Sequence, residues 1–492
     1  MDPPLDLRLV PAALAAWCAA YVVVVLPVRV AALGAGLACV VAGVATVRHP
    51  TPARRARGQV VLVAGVVAAV LGAGAAQLAA RQSGGLAAAV AERAPVEVVG
   101  TVRSDPQPLA GAPGRFRVLL SIDVLRVDGR WHPAAAPVQV LGGGAWADVV
   151  YGSRVSARGR LLPTEPGRRA AAGLSAASGP ELVTAPPGWL RATAGLRAGL
   201  VALASGVPGD AGDLLPGVAV GDTSAVGDEL AQAMRVSGLT HLTAVSGAHF
   251  SLVGAVVLAG VGAVGIPRTV RAVLVAVVLA GFVVLVHPGP SVVRAAAMGA
   301  VGVAGLALGR PARSVAALAV AVVVLLVADP WLARDIGFVL SVAATCGIVG
   351  LAAPLAARGA PWTGRTLAQA LAVPVAAQVA CAPVLVVLEP AVSVYAVPAN
   401  LVVAPAVAPA TVLGLLATLA APWWPGGAAV LAHLAGAACW WIAAVARTAA
   451  GWPGAHVAWA AGPAGVVLLG LVSTAVVALL LGIRAPGGVD ER

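Results

Sequence analysis

The sequence predicts a polytopic α-helical membrane protein of about twelve spans, with a small extracytoplasmic β-rich domain, an OB-like barrel, inserted after the third span. Three observations predict it. Apolar runs of about 20 residues recur along the chain. The 492 residues are 60% hydrophobic and only 11% charged, whereas a soluble globular chain is roughly a quarter charged. Between residues 85 and 190 the apolar runs give way to alternating polar and apolar residues, the period of a half-buried strand.

Leu9 to Leu26 and Val30 to Val47 read as a helical hairpin broken at Pro27. The basic loop Arg48 to Arg57 follows, and Val60 to Ala80 is a third span leading outward. Strand-like runs come next at Val96–Arg103, Arg115–Val124 and Gly152–Leu161, with a hairpin turn at Val127-Asp128-Gly129-Arg130. About five short strands within about 90 residues favour a small barrel. Residues 191–240 carry Asp210, Asp213, Asp222, Asp228 and Glu229 and read as helices lying at the outer surface, broken near Gly217 and Gly221. About nine more spans follow, near 241–264, 270–287, 291–308, 314–328, 336–353, 367–388, 396–420, 428–447 and 463–483. The expected domains are thus 1–82 (transmembrane), 83–190 (β-rich), 191–240 (interfacial), 241–484 (transmembrane) and 485–492 (cytoplasmic tail).

Charge orients this topology. The loop at Arg54, Arg55 and Arg57 is the densest short basic loop, so it is cytoplasmic and the β-rich domain lies outside. Arg268 and Arg271, Arg310 and Arg313, Arg358 and Arg365, and Arg484 then fall in alternate loops. The intervening loops carry His287-Pro288, Asp329-Pro330 and Glu389-Pro390 with few arginines. Both termini are therefore expected in the cytoplasm and the protein in the cytoplasmic membrane. Net charge is +12 without a single lysine. Arginine suits phosphate recognition through its bidentate fork, and it also follows from a GC-rich genome obeying the positive-inside rule. Cys18, Cys39, Cys346, Cys381 and Cys439 lie singly in apolar runs, as packing residues do.

Polar groups within these runs are the candidate functional residues, because they are costly in hydrocarbon. His241, Thr243, Ser246 and His249 head the fourth span, and Ser291 and Arg294 stand one turn into the sixth. Arg294 either snorkels to the interface or presents a cation to the bundle interior. Asp335 caps the helix that holds Ser341, or pairs with Arg294 at similar depth. Gln378 with Pro374 and Pro383, and Asn400 with Pro405 and Pro409, suit broken helices whose backbone lines a cavity, or kinked packing helices. His241 and His249 fall on one helix face about 12 Å apart, too far for one ion. The seven histidines form no H-x-H-x-D or H-E-x-x-H pattern, so no metal or cofactor is expected. Ser246 and His249, at i and i+3, can meet on one face as a serine–histidine pair.

His241-Leu-Thr-Ala-Val-Ser-Gly-Ala-His249 resembles the H-L-x-A-x-S-G-x-H signature of ComEC-type competence proteins. Gly217-Val-Ala-Val-Gly-Asp222 is similar to the family's upstream glycine stretch, and Pro290-Ser291-Val-Val-Arg294-Ala-Ala-Ala-Met298 resembles its P-S-x-x-R-A-x-x-M segment. Asp335-Ile-Gly-Phe-Val-Leu-Ser341 looks like its G-F-x-L-S span, and Gln378 to Pro383 with Asn400 and Pro405 resemble its late pattern. Val339 stands where relatives often carry glutamine.

The resemblance implies an external OB-like domain joined to a channel that passes single-stranded DNA into the cytoplasm during natural transformation. Arg115, Arg117, Arg154, Arg158 and Arg160, with Phe116, Trp131, Trp146 and Tyr151, are then candidates for strand binding in the β-rich domain. Many relatives end in a metallo-β-lactamase-like domain, and its motif is not found here, so no nuclease or other enzyme activity is expected. No G-x-x-x-x-G-K-[ST] loop occurs. Single-stranded DNA and membrane lipid are thus the expected contacts, with a DNA receptor, a nuclease and a cytoplasmic motor as separate proteins; a homo-oligomer is open. Two other readings compete: a secondary transporter or exporter of a small or lipidic solute, and an intramembrane serine protease built on Ser246.

Overall fold

The computed structural model describes residues 7–47, 54–109, 111–243, 245–262, 266–307 and 314–482. The expected tail at 485–492, most of the basic loop before Arg54, and Arg310, Arg313 and Arg484 lie outside the described residues. In chain order the elements are α1 (Val10–Val23), α2 (Val28–Val47), α3 (Arg54–Gln82), α4 (Leu86–Ala91), β1 (Pro95–Val102), β2 (Gln107–Pro108), β3 (Phe116–Val127), β4 (Arg130–Gly142), β5 (Arg154–Leu162), β6 (Ala172–Ala176) and β7 (Glu181–Thr184). There follow α5 (Gly188–Ala204), α6 (Asp210–Val220), α7 (Asp228–Val236), α8 (Gly247–Gly262), α9 (Arg268–Val286), α10 (Pro290–Ala307), α11 (Ser314–Ala328), α12 (Ile336–Thr363), α13 (Arg365–Leu388), β8 (Ala391–Ser393), α14 (Ala396–Ala420), α15 (Pro425–Gly451), β9 (His456–Ala458) and α16 (Gly462–Gly482).

Among the described residues eight helices are long and apolar enough to cross a membrane: α2, α3, α9 and α12 to α16, apart from a residue or two at some ends. Four more apolar helices, α1, α8, α10 and α11, are shorter. Prolines do not break α12, α13 or α14, which run as single helices through Pro354, Pro361, Pro374, Pro383, Pro405 and Pro409. The expected broken helices are therefore corrected to continuous ones. Proline's fixed φ is itself helical, and neighbouring helices tolerate the missing N–H.

The chain divides into two compact units. The first runs to Gly195 and includes Ala319–Asp335. Here α1 and α2 pack on α3. Pro27 precedes α2, and its carbonyl accepts the Ala31 N–H, so its lack of a donor costs nothing there. The turn after Asp329 is tied down by arginines. The Arg81 guanidinium lies 3.2 Å from the Trp331 ring centroid, and Arg334 lies 4.1 Å from that of Tyr21. Arg169 pairs with Asp329 at 3.1 Å.

The sheet of this unit follows the period-2 pattern. β1 alternates half-buried and buried residues along most of its length, with Val96, Val98, Gly100 and Val102 inward. Asp128 and Gly129 both take positive φ at the β3–β4 turn, where Val127 pairs with Arg130, as the Asp-Gly signal required. β1 pairs with β3, β3 with β4, β4 with β6 in parallel, β6 with β5, and β5 again with β1. The pairings thus return to the strand they started from. β2 and β7 add to β3 and β5.

Val98, Leu120, Ile122, Val138, Leu174 and Trp146 share the core inside, all at most 1% exposed. Trp146 also donates its indole N–H to the Ser178 carbonyl at 3.1 Å. Trp146→Ala is expected to cost about 3–5 kcal/mol, and proteolysis of the sheet domain in the full chain as a function of urea measures it.

The second unit comprises Leu196–Leu318 and Ile336 onward. Its core joins α5, α6 and α7 to α14 and α15. The expectation that residues 191–240 lie at the outer surface is corrected here, because every residue of α6 from Ala211 to Val220 except Asp213 is buried. The two aspartates that made this segment look polar, Asp210 and Asp213, stand in the first turn of α6, where acids complement the helix dipole. Gly414 of α14 admits α6, because a Cβ there would lie 2.7 Å from that of Ala219.

At one end of this unit β8 pairs with β9, joining the loop after α13 to the loop after α15. That pairing places the start of α14 and the start of α16 side by side, as alternating spans require.

Candidate functional site

The signature stretch does not begin as a helix. His241 lies on a 3-10 turn, Thr240–Leu242, and α8 starts only at Gly247. The expectation that His241 and His249 share one helix face is corrected accordingly. Thr243 donates its hydroxyl to the Thr240 carbonyl at 2.8 Å, which closes the turn and competes with helix formation.

Ser246 and His249 then cap α8. The Ser246 N–H donates to His249 Nδ1 at 3.1 Å, and Ser246 Oγ lies 3.1 Å from the same nitrogen. This is the geometry of a capping box with histidine in the glutamate position. Because Nδ1 accepts, the ring proton sits on Nε2. His249 is 1% exposed, and its Nε2 has no hydrogen-bond partner among the described residues. A buried donor without a partner is costly, so the ring offers one fixed N–H to whatever reaches it.

Three other chain segments meet this cap. Gly221 ends α6 at φ +75, returning its N–H to the Gly217 carbonyl, and it packs against Val245. Gly217 lies close to the Thr243 carbonyl. The two glycines of the upstream stretch and the histidine signature are therefore parts of one place. Val245 and Phe250 share an apolar cluster with Phe282 and Val286 of α9 and with Val292 and Ala295 of α10. Between the last two sits Arg294, only 2% exposed, which rules out snorkelling. Ser291, half-buried, is one turn nearer the start of α10.

Sequence reading missed Arg197, the cation that joins these helix ends. It is 7% exposed. Its Nη1 donates to the Val220 carbonyl at 2.7 Å and the Leu285 carbonyl at 3.3 Å, and Nη2 lies 3.7 Å from Asp222. It thus caps the C-terminal ends of α6 and α9, where a cation is favoured by both dipoles. The only signal in sequence was a lone arginine in an otherwise apolar stretch. A second cross-link, Arg447 to Asp210, ties α15 to α6. This pairing holds the Asp210 carboxyl below its ordinary pKa.

The remaining lining candidates stand elsewhere. Ser341 is on α12, where its carbonyl accepts from Thr345, and half-buried Gln378 is on the packed neighbour α13. Asn400 returns its amide to the Ala396 carbonyl of its own helix at 2.8 Å. Asp335, half-buried, follows the 3-10 turn Pro330–Arg334 and immediately precedes α12. It belongs to the first unit and Arg294 to the second.

In the sheet domain the expected basic surface is partly neutralised. Register sets Glu97 of β1 between Arg126 of β3 and Arg158 of β5, each 3.4 Å from its carboxylate. Arg154 pairs with Asp123 at 3.2 Å. Arg117 bonds to Gln107 and Arg115 to the Leu141 carbonyl, both from exposed positions, and exposed Arg160 has no ion pair among the described residues. The aromatics divide as well. Trp146 is core, Phe116 and Tyr151 are half-buried, and Trp131 is 48% exposed with Arg126 5.7 Å from its ring centroid.

Burial acts to raise the Glu97 pKa, and hydrogen bonds from Ser156, Arg158 and Arg126 outweigh it, leaving the group lowered. Its contribution to stability is then complete above the unfolded value, about 4.3, and is lost as pH falls through the lower folded value. Acid titration of sheet unfolding should therefore show a loss in the unaltered protein below about pH 4.3 that Glu97→Gln lacks.

A family model described as "Competence protein" matches residues 218–484, which takes in α8, the end of α6 and Arg294. ComE operon protein 3 of Bacillus subtilis (strain 168) is 29% identical over 214 residues, covering 43% of this chain and 27% of that protein. The matched region thus spans about a quarter of that relative's length. No solved structure matches.

Proposed function

Because the chain belongs to the competence protein family, we propose that this multi-pass membrane protein takes part in DNA uptake and conducts a single strand across the cytoplasmic membrane. The observation that carries the reading is the meeting of α6, α8, α9 and α10 within or beside the matched segment, with buried His249, Arg294 and Arg197 at their ends. A polyanion cannot cross hydrocarbon unaided. Buried cations and a fixed N–H donor offer phosphate the partners it loses on leaving water. In this reading His241, Thr243, Ser246 and Ser291 hydrogen-bond the strand near that meeting point. Ser341, Gln378, Asn400 and Asp335 extend the path along α12 to α14.

The ring of strand pairings is consistent with an OB-like barrel, which we place outside the cytoplasm with both chain termini inside. Arg115, Arg117 and Arg160, with Trp131 as a stacking surface, receive the strand there. A DNA receptor, a nuclease and a motor act as separate partners.

Deletion in the source cell tests this directly. Labelled DNA should no longer reach the cytoplasm, and unchanged uptake overturns an obligatory channel role.

The 3.1 Å contact between Ser246 Oγ and His249 Nδ1 also fits a serine nucleophile. The cap reading is favoured, because the same nitrogen accepts the Ser246 N–H and a catalytic base needs its other nitrogen oriented by a third group. Ser246→Ala decides the matter. Loss of cleavage of a membrane reporter with normal DNA uptake would establish the protease, whereas the channel reading expects no cleavage from either form.

A further inference from the structure

We propose that the groove between α9 and α10 holds an anionic phospholipid, with its acyl chains along the groove and its phosphate on Arg268 and Arg271. The groove encloses about 820 Å³ and is lined almost wholly by alanine, valine and leucine. Ala272, Ala276 and Ala280 of α9 and Ala296, Ala300 and Ala304 of α10 recur every fourth residue along it. Small residues at that spacing usually let two helices close together. Here they leave a trough open instead.

The lining of α9 runs from Thr269 to Val284, about 22 Å at the helical rise. One leaflet contributes about 15 Å of hydrocarbon, so the trough is long enough for an acyl chain. Val270, Val273 and Val277 on the same helix are 45%, 60% and 63% exposed, as a face turned to hydrocarbon would be.

One end of the trough is chemically different. Thr269 lines it, and exposed Arg268 and half-buried Arg271 flank Thr269 and Ala272. The Arg271 Nε is buried with no hydrogen-bond partner among the described residues. Neither α9 nor α10 contains an acidic residue to satisfy it. A phosphate oxygen would supply that partner, since guanidinium and phosphate match in charge and geometry. A zwitterionic headgroup brings its own cation beside the arginines, so the net negative lipid is preferred. Basic pockets between transmembrane helices are suited to such headgroups.

Native mass spectrometry of the full chain, loaded with phosphatidylglycerol or with phosphatidylcholine, tests the assignment. Phosphatidylglycerol should stay bound under activation that strips phosphatidylcholine. The double variant Arg268→Gln, Arg271→Gln should lower that retention about thirtyfold, at about fivefold per arginine. Ala300→Leu fills the trough and should remove both lipids, with helix content checked by circular dichroism. Equal retention of the two lipids by the unaltered protein overturns the proposal. So does a lipid adduct that both variants leave unchanged, or a dimer abolished by Ala300→Leu with no lipid bound, which would make a second copy the occupant.

Discussion

Replacing Arg294 with leucine is expected to cut transformation about 10- to 100-fold while leaving the protein in the membrane at near-normal level. The physical basis is its position. Arg294 is 2% exposed and lies between Val292 and Ala295, which pack with the start of α8. Hydrogen bonds to a charged group contribute about 1.5–3 kcal/mol each, which is roughly 10- to 100-fold in an equilibrium. Leucine keeps the bulk and removes the charge. Arg294→Lys keeps the charge and loses the fork, so it should retain an intermediate activity. Transformation frequency normalised to membrane immunoblot separates the two variants. Equal uptake by the leucine variant would remove Arg294 from the DNA path.

The second large effect falls on folding. Arg197→Met should lower the unfolding temperature of the detergent-solubilised protein by roughly 10 °C, from a loss of about 3–5 kcal/mol. Methionine fills the space but leaves the Val220 and Leu285 carbonyls without the donor they have now, and Asp222 without its cation. Asp222→Asn should cost less, because the guanidinium keeps both carbonyls. The ordering of these two variants is the diagnostic. A milder effect from Arg197→Met would mean that the carbonyls find other donors and that the arginine does not hold α6 and α9 together.

Much of the architecture is legible because it follows from local periodicity. Strand and span positions agree with β1, β3, β5 and the long apolar helices to within a few residues, since period-2 alternation and 20-residue apolar runs need no distant partner to be recognised. The Asp128-Gly129 turn is legible for the same reason, as its positive φ values are a local demand. The segment before His241 misleads because averaging over 191–240 mixes two first-turn aspartates with the wholly apolar run Leu214–Val220.

The candidate site is legible as residues and illegible as a place. His249, Ser246 and Arg294 stand out in sequence because polar groups in apolar runs are expensive. That Gly221 touches Val245, and that Arg197 bridges Val220 and Leu285, depends on contacts across as many as 88 residues, which no local pattern encodes. The same holds for the sheet surface. Arginine content fixes the charge available, but strand register decides that Glu97 meets Arg126 and Arg158 while Arg160 stays unpaired. Sequence by itself determined the membrane class, the inserted sheet and the identity of the polar residues, because hydration cost and backbone period act locally. Only the tertiary structure decided which of them are buried, paired or capped, because burial and hydrogen bonding belong to surfaces that distant segments make together.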